Sequence, residues 1–229
     1  MLLAERLTML IAEAGYDGRE PVIAAVHRQG FAPVFAAQGE TGSGEASSPT
    51  ALTYAASLSK QITAACAALL VREGVLDIEA PIGRWLPELP AWAATVRLRH
   101  LVHHTGAMPD HEVDAIVGNA DRTTPAVLSA LAQIPVLASR PGTAFAYSRT
   151  GYVCLAAAVE RAACQPLPMF ARQRIFVPLG MRGTLYWPSM LDLLVRRGSD
   201  GLFVSPLAAN RSHLVAEDSG PGSAGKRPV

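Results

Sequence analysis

Apolar and polar positions alternate at helical spacing from the first residues. In MLLAERLTMLIAEAGYDG, Glu5, Arg6 and Glu13 fall among apolar neighbours and predict an amphipathic helix. The period then shortens. Residues 21–28 and 31–38 read as two strands around Gln29-Gly30, a short hairpin with glycine at its turn, and 39–48 as a Gly/Ser/Glu loop. Beyond Ser57 the run KQITAACAALLVREG fills helical positions with Ala and Leu and stops at Gly74; Pro81, Pro87 and Pro90 punctuate a loop-rich passage over 75–90. A short helix is predicted over 98–102. The next begins at Thr124-Pro125, with threonine as N-cap, proline at the first helical position and 126–133 filling it. Two more are predicted over 151–164 and 169–176, separated or ended by Pro166, Pro168 and Pro178. Leu202-Phe203-Val204-Ser205 is a candidate third strand, and residues 206–229, rich in Gly, Ser and Pro, read as a flexible tail. Few strands against many helices leave the hairpin in need of helix cover or a partner, because two strands alone are marginal in water.

Composition narrows the ligand more than the fold. With 229 residues, half of them hydrophobic, the chain can hold one sizeable core or a domain with a helical lobe. A formal net charge of +1 and 17% charged residues provide no basic field, so neither nucleic acid nor an anionic membrane is expected as partner, and a small-molecule substrate is. Cys66, Cys154 and Cys164, an odd number in Ala-rich segments, read as reduced packing residues. The first helix lacks a basic leader and a long apolar run, so the expected setting is cytoplasmic.

Chemistry is concentrated at Ser57-Leu58-Ser59-Lys60. Lys60 is one of two lysines in the chain, the other being Lys226 in the expected tail. With Ser57 at the first turn of a helix and Lys60 one turn on, the two share a face, and a helix start adds free N–H groups beside the serine oxygen. Ser-x-x-Lys is a serine acyl-transfer motif in which the lysine is a candidate base. The alternative reading is an N-cap followed by a solvated lysine. Tyr147, just before a helix, is either a second proton carrier between cations or a ring packed on the core with its hydroxyl bonded to backbone.

Five blocks together resemble one family. Ala56-Ser57-Leu58-Ser59-Lys60-Gln61, Glu73-Gly74-Val75-Leu76-Asp77 leading to Trp85-Leu86-Pro87-Glu88-Leu89-Pro90, Leu98-Arg99-His100-Leu101-Val102-His103-His104-Thr105-Gly106, Tyr147-Ser148-Arg149 and Pro178-Leu179-Gly180-Met181 are similar, in order and spacing, to the serine β-lactamase-related family. That family includes class C β-lactamases, D-Ala-D-Ala carboxypeptidases and small esterases, and the likeness covers roughly residues 20 to 185. It implies an α+β, β-lactamase/transpeptidase-like fold: an antiparallel sheet flanked by helices, plus a helical lobe, with the cleft between them. The domain would occupy 1–205, incomplete or diverged at its C-terminal end. By the same resemblance Ser57 is the acylated nucleophile, Lys60 its proton acceptor, and Tyr147 the residue that shuttles protons and activates the deacylating water, without cofactor or metal.

Two departures bear on function. The family's tyrosine motif usually ends in an asparagine that accepts from the lysine and donates to the substrate carbonyl. Here Arg149 stands in its place and becomes the candidate substrate-binding residue. Arginine only donates and carries a fixed charge, so it cannot accept from Lys60; its side chain is expected either in the acyl pocket or in solvent. The family's third motif, Lys or His, then Thr or Ser, then Gly on a late strand, has no match after Tyr147, so the late strands are expected to be missing or diverged. That strand supplies an oxyanion-hole donor, whose loss typically costs about 10²–10³ in rate.

The first expectation is therefore a serine hydrolase forming an acyl-enzyme with a β-lactam, a D-alanyl peptide or a small ester. A catalytically impaired remnant or binding module of the same fold is the alternative. A metal-dependent hydrolase using the His100–His111 cluster (His100, His103, His104, His111 with Asp110, Glu112 and Asp114) comes third, since His-Glu-x-x-His is absent and the resemblance implies that His103-His104-Thr105-Gly106 is a structural turn near the cleft. Open sheet edges would allow an oligomer.

Overall fold

The computed structural model describes residues 2–16, 18–40, 44–51, 53–118, 123–186 and, for the backbone alone, 202–204. These fall into two compact units, one within Met1–Thr53 and one within Tyr54–Val195 together with Leu202–Val229. The expected tail over 206–229 lies outside the described residues.

In the first unit, helix α1 (Leu3–Glu13) covers a hairpin of β1 (Val22–Val26) and β2 (Val34–Gln38). Leu7 and Ile11, one turn apart on α1, bury against Ala36, with Val22, Ala24 and Val34 around them. The Glu5 carboxylate accepts the Leu2 N–H at 2.9 Å and satisfies one of the amides a helix start leaves open. The strands are antiparallel, with Val22 opposite Gln38 and Val26 opposite Val34. The connection is thus longer than the tight turn predicted around Gln29-Gly30: Pro33 has no N–H to give a ladder, and pairing starts only after it. Gly39, at φ +80°, passes so close to the Glu20 carbonyl that a Cβ would lie 1.9 Å from its oxygen.

The second unit is built on two helices, α2 (Ser59–Arg72) and α6 (Arg149–Ala163), which pack through small residues. Cys66, Ala67 and Leu70 belong to the same core as Val153, Cys154, Ala157 and Ala158. Cys66 and Cys154 are fully buried free thiols, and burial pushes Cys66 up to about 12, so both act as small packing groups; Cys164 is exposed at the C-cap of α6. Helix α3 (Leu98–Val102) lies where the sequence predicts it, and α5 (Thr124–Ala132) starts as predicted except that Thr123, not Thr124, is the cap, accepting the Ala126 N–H. Between them, α4 (Asp110–Val117) occupies a stretch for which no helix was predicted. A short helix α7 (Leu167–Ala171) leads into a π-turn over Arg172–Phe176, where a single helix was expected.

A three-stranded sheet has the order β3 (Thr53–Tyr54), β5 (Leu202–Val204), β4 (Leu185–Tyr186). β5 falls on the predicted third strand. Its pairing with β4 is parallel, Tyr186 opposite Val204, beside the antiparallel pairing of β1 with β2 that the resemblance implies for most of the sheet. The Tyr186 phenol shares a hydrogen bond of 3.2 Å with Thr63 and ties this sheet to α2.

Candidate active site

Ser57 sits in a 3₁₀ turn, Ala56–Leu58, that runs straight into α2. Ala56, just before it, is held at φ +45°, a left-handed conformation that a residue with a Cβ seldom adopts. The turn is fastened on both sides: Leu58 N–H donates to the Ala55 carbonyl at 2.9 Å, and Ser59 Oγ donates to that of Ala56 at 2.7 Å. Strain of this kind costs roughly 1–3 kcal/mol and persists only where the surroundings enforce it. Its effect here is to lift Ser57 into solvent while Ser59 and Lys60 on either flank of the next turn stay buried.

Lys60, only 7% exposed, returns toward the serine, and its Nζ donates to Ser57 Oγ at 3.3 Å. The phenol oxygen of Tyr147 lies 2.7 Å from the same Oγ. A hydroxyl, an amine and a phenol thus meet at one oxygen, although Tyr147 comes from a different loop. Lys60 Nζ also lies 5.0 Å from the Tyr147 ring centre and 5.6 Å from that of Tyr152, a cation–π setting that replaces part of its lost hydration. Burial alone would raise the Tyr147 phenol. Hydrogen bonding with Lys60 and Ser57, and the positive charges of Lys60 and Arg149, outweigh it and hold the group below its ordinary value of 10.0. Tyr152 shows the contrast: half-buried beside Tyr147 and donating to the Val102 carbonyl at 3.1 Å, its phenol is raised by the burial it has and by the neighbouring Tyr147.

Arg149 opens α6 with its side chain 38% exposed. Its guanidinium forms an ion pair with Asp114 on α4, and Asp110 on the same helix accepts the Thr150 N–H at 2.8 Å. Two carboxylates of α4 therefore grip the start of α6, directly after Tyr147.

The histidine-rich segment is spread out rather than convergent. His100 is buried with Nδ1 accepting the Arg97 N–H at 3.1 Å, and Gly142, at φ +85°, passes close enough to it that a Cβ would lie 3.2 Å from Nε2. His103 and His111 are exposed. His104 turns inward, with Nδ1 accepting the Ser148 N–H at 3.1 Å. Among the described residues no group of three His, Cys, Asp or Glu side chains comes together to hold a metal ion, which leaves the metal-dependent reading without a ligand set there.

The model of the family described as Beta-lactamase matches residues 7–220. The chain belongs to the β-lactamase family. Penicillin-binding protein 4* of Bacillus subtilis (strain 168) is 35% identical over 134 residues, 56% of this chain and 29% of that protein. Esterase EstB of Burkholderia gladioli is 32% identical over 200 residues, 79% of this chain and 50% of the esterase. Among solved structures, the D-amino acid amidase of Ochrobactrum anthropi SV3 complexed with L-phenylalanine amide superposes with a TM-score of 0.66 at 27% identity, covering 79% of this chain and 51% of the amidase. The chain spans half or less of the length of these curated relatives. The β-lactamase/transpeptidase-like fold expected from the sequence is thus shown. Family likeness put Ser57, Lys60 and Tyr147 in one reading and made His103-His104-Thr105-Gly106 a structural turn near the cleft; the bonds of His104 to the tyrosine loop, and the parts taken by Tyr152 and Asp114, appear only once the loops are folded.

Proposed function

We propose that the protein is a serine hydrolase that works through an acyl-enzyme on a small carboxylic ester, amide or β-lactam, using Ser57, Lys60 and Tyr147. The observation that supports it is the convergence of Lys60 Nζ at 3.3 Å and Tyr147 Oη at 2.7 Å on Ser57 Oγ. In this reading Ser57 Oγ attacks the carbonyl carbon, and its proton passes to the amine of Lys60 or the phenolate of Tyr147. The tetrahedral intermediate collapses, the C–O or C–N bond to the leaving group breaks, and the leaving group takes that proton. Water then gives its proton to Tyr147, attacks the acyl carbon and releases the acid, with Ser57 Oγ reprotonated.

The relatives include a penicillin-binding protein, an esterase and a D-amino acid amidase, so β-lactams, esters and amides are the substrate classes proposed for this site. Two features favour an uncharged, apolar acyl group. Leu58, beside the nucleophile, is 61% exposed, and Phe145, edge-on to His104, is 71% exposed; both offer apolar surface to a ligand at Ser57. Arg149, whose charge would suit a carboxylate, is already engaged by Asp114. We place Arg149 at the substrate side of the site as part of this proposal, acting through its charge on Tyr147. A cytoplasmic setting and self-association through an open edge of the β1–β2 hairpin belong to the same proposal. A helix long and apolar enough to cross a membrane is absent among the described residues.

The test is intact-mass spectrometry after exposure to a fluorophosphonate, a penicillin and a p-nitrophenyl ester, with Ser57→Ala alongside. The wild-type protein is expected to carry one adduct on Ser57 and the variant none. Labelling that persists in Ser57→Ala would defeat the assignment. A folded wild-type protein that neither labels nor turns over any of the three would favour the non-catalytic reading, which the replacement of the family asparagine by Arg149 motivates.

A further inference from the structure

His104 meets the segment 146–148 at three points. Its carbonyl accepts the N–H of Ala146 at 2.8 Å, its Nδ1 accepts the N–H of Ser148 at 3.1 Å, and its ring lies against the Tyr147 ring at 4.5 Å between centroids, tilted by 32°. The residues immediately before and after the tyrosine are therefore bonded to one histidine. The next residue continues the seam, with the Thr105 carbonyl accepting the Gly142 N–H at 2.7 Å. On its other side the imidazole faces the Tyr152 ring at 5.0 Å, so it is packed between two tyrosines over which Lys60 also lies. His104 itself is held at φ +55°, a left-handed turn that aims its carbonyl and its ring at the same loop.

We propose that His104 is a positioning residue for Tyr147: as a neutral imidazole it holds the tyrosine loop in register with Ser57, and its protonation releases that hold. This inference rests on the hydrolase reading above. The hold depends on Nδ1 being an acceptor, because an imidazolium has only donors and would oppose the Ser148 N–H. The groups facing the ring are Lys60 from α2, Asp110 from α4, the adjacent His103, Tyr147 from the loop before α6 and Tyr152 from the first turn of α6. Burial, and then the charges of Lys60 and His103, lower the His104 value below 6.5 against the opposing pull of Asp110. The hold is accordingly intact at neutral pH and is lost as pH falls through a point below the ordinary histidine range.

Two variants separate acceptor from ring. In His104→Asn the side-chain oxygen can take the place of Nδ1, and asparagine tolerates the left-handed backbone; His104→Phe keeps a ring and removes the acceptor. With a p-nitrophenyl ester, His104→Phe is expected to lose about 10²-fold in kcat, the typical cost of misplacing a catalytic group by an ångström, with KM changed by less than roughly threefold. His104→Asn should recover to within about tenfold of wild type and lack one step in the acid limb of the pH profile. Amide hydrogen exchange reads the hold without catalysis: the Ser148 N–H should be protected in wild type and in His104→Asn and exposed in His104→Phe. Equal protection of Ser148 in wild type and His104→Phe would overturn the inference, as would equal kcat values for the two substitutions. If the wild-type protein never acylates Ser57, the hydrolase reading fails, and the exchange measurement still decides the role of His104.

Discussion

Replacing Tyr147 by phenylalanine removes one oxygen and leaves almost everything else in place. The ring keeps its contact with His104 at 4.5 Å and its cation–π contact with Lys60 at 5.0 Å, while Ser57 Oγ loses a partner at 2.7 Å. Tyr147 is half-exposed, so water can bond to the serine in its stead, and the stability change should stay under about 1 kcal/mol. The catalytic change should be far larger. A positioned proton carrier contributes about 10²–10⁴ in rate, which corresponds to about 3–5 kcal/mol of barrier at 1.36 kcal/mol per tenfold. The sign of the pH effect follows from the phenol being held below 10.0. Its base form accumulates as pH rises through that lowered value, so kcat/KM in the wild-type protein should rise on an alkaline limb that Tyr147→Phe does not have. Stopped-flow and steady-state turnover of a p-nitrophenyl ester across pH, with intact-mass analysis of the acyl-enzyme, measure all of this. If deacylation depends on the phenol more than acylation does, the Ser57 adduct should accumulate in the variant. A Tyr147→Phe protein within about threefold of wild type at every pH would refute the role assigned to the phenol.

Arg149→Asn removes a positive charge that helps lower Tyr147, so the alkaline limb should move to higher pH; an unmoved limb, or one shifted down, would contradict the electrostatic reading. The same substitution breaks the ion pair with Asp114, whose partners are 38% and 31% exposed, and should therefore cost only about 0.2–1 kcal/mol in urea unfolding. Trp92→Phe tests the core: Trp92 Nε1 donates to the Ile134 carbonyl at 2.8 Å, and both residues are buried, so the variant leaves that carbonyl unpaired. A loss of about 1–3 kcal/mol is expected from the hydrogen bond alone, and one below roughly 0.5 kcal/mol would show that water reaches Ile134.

Elements whose information is local could be read from the chain, and those set by distant partners could not. α3 was placed at its observed bounds because apolar Leu98 and Leu101 share one face, and α5 because threonine and proline mark a helix start; two adjacent threonines, Thr123 and Thr124, account for the one-residue error in its cap. α4 was missed for a chemical reason. Asp110, His111, Glu112 and Asp114 look like metal ligands in composition, but Asp110 and Glu112 occupy the first turn of a helix, where acids complement the free N–H groups, and Asp110 and Asp114 reach Thr150 and Arg149. The two-residue strands β3 and β4 are too short to carry a period-two pattern at all.

The site divides along the same line. Ser57 and Lys60 were legible together because positions three apart on a helix share a face, a property of four residues that holds in any context; the structure alters only the detail that Ser57 sits in the strained turn ahead of α2. Tyr147 has no such local mark, and without the family likeness its ring would have been as easily assigned to the core. His104 lies further still from what a pattern can show. Its neighbours His100 and His103 have the same side chain, and one is a buried residue bonded to Arg97 while the other is exposed. What separates His104 from them is a left-handed φ of +55° and a loop from more than forty positions away whose amides come within bonding distance on both sides of Tyr147. Neither quantity is a property of residue type or spacing: the second exists only after α4, through Asp110 and Asp114, has fixed where α6 begins. The nucleophile and its base are thus written into one helix turn, whereas the proton carrier depends on how three other segments meet. Substitutions in those segments should accordingly change kcat and its pH dependence while leaving the Ser57–Lys60 pair intact.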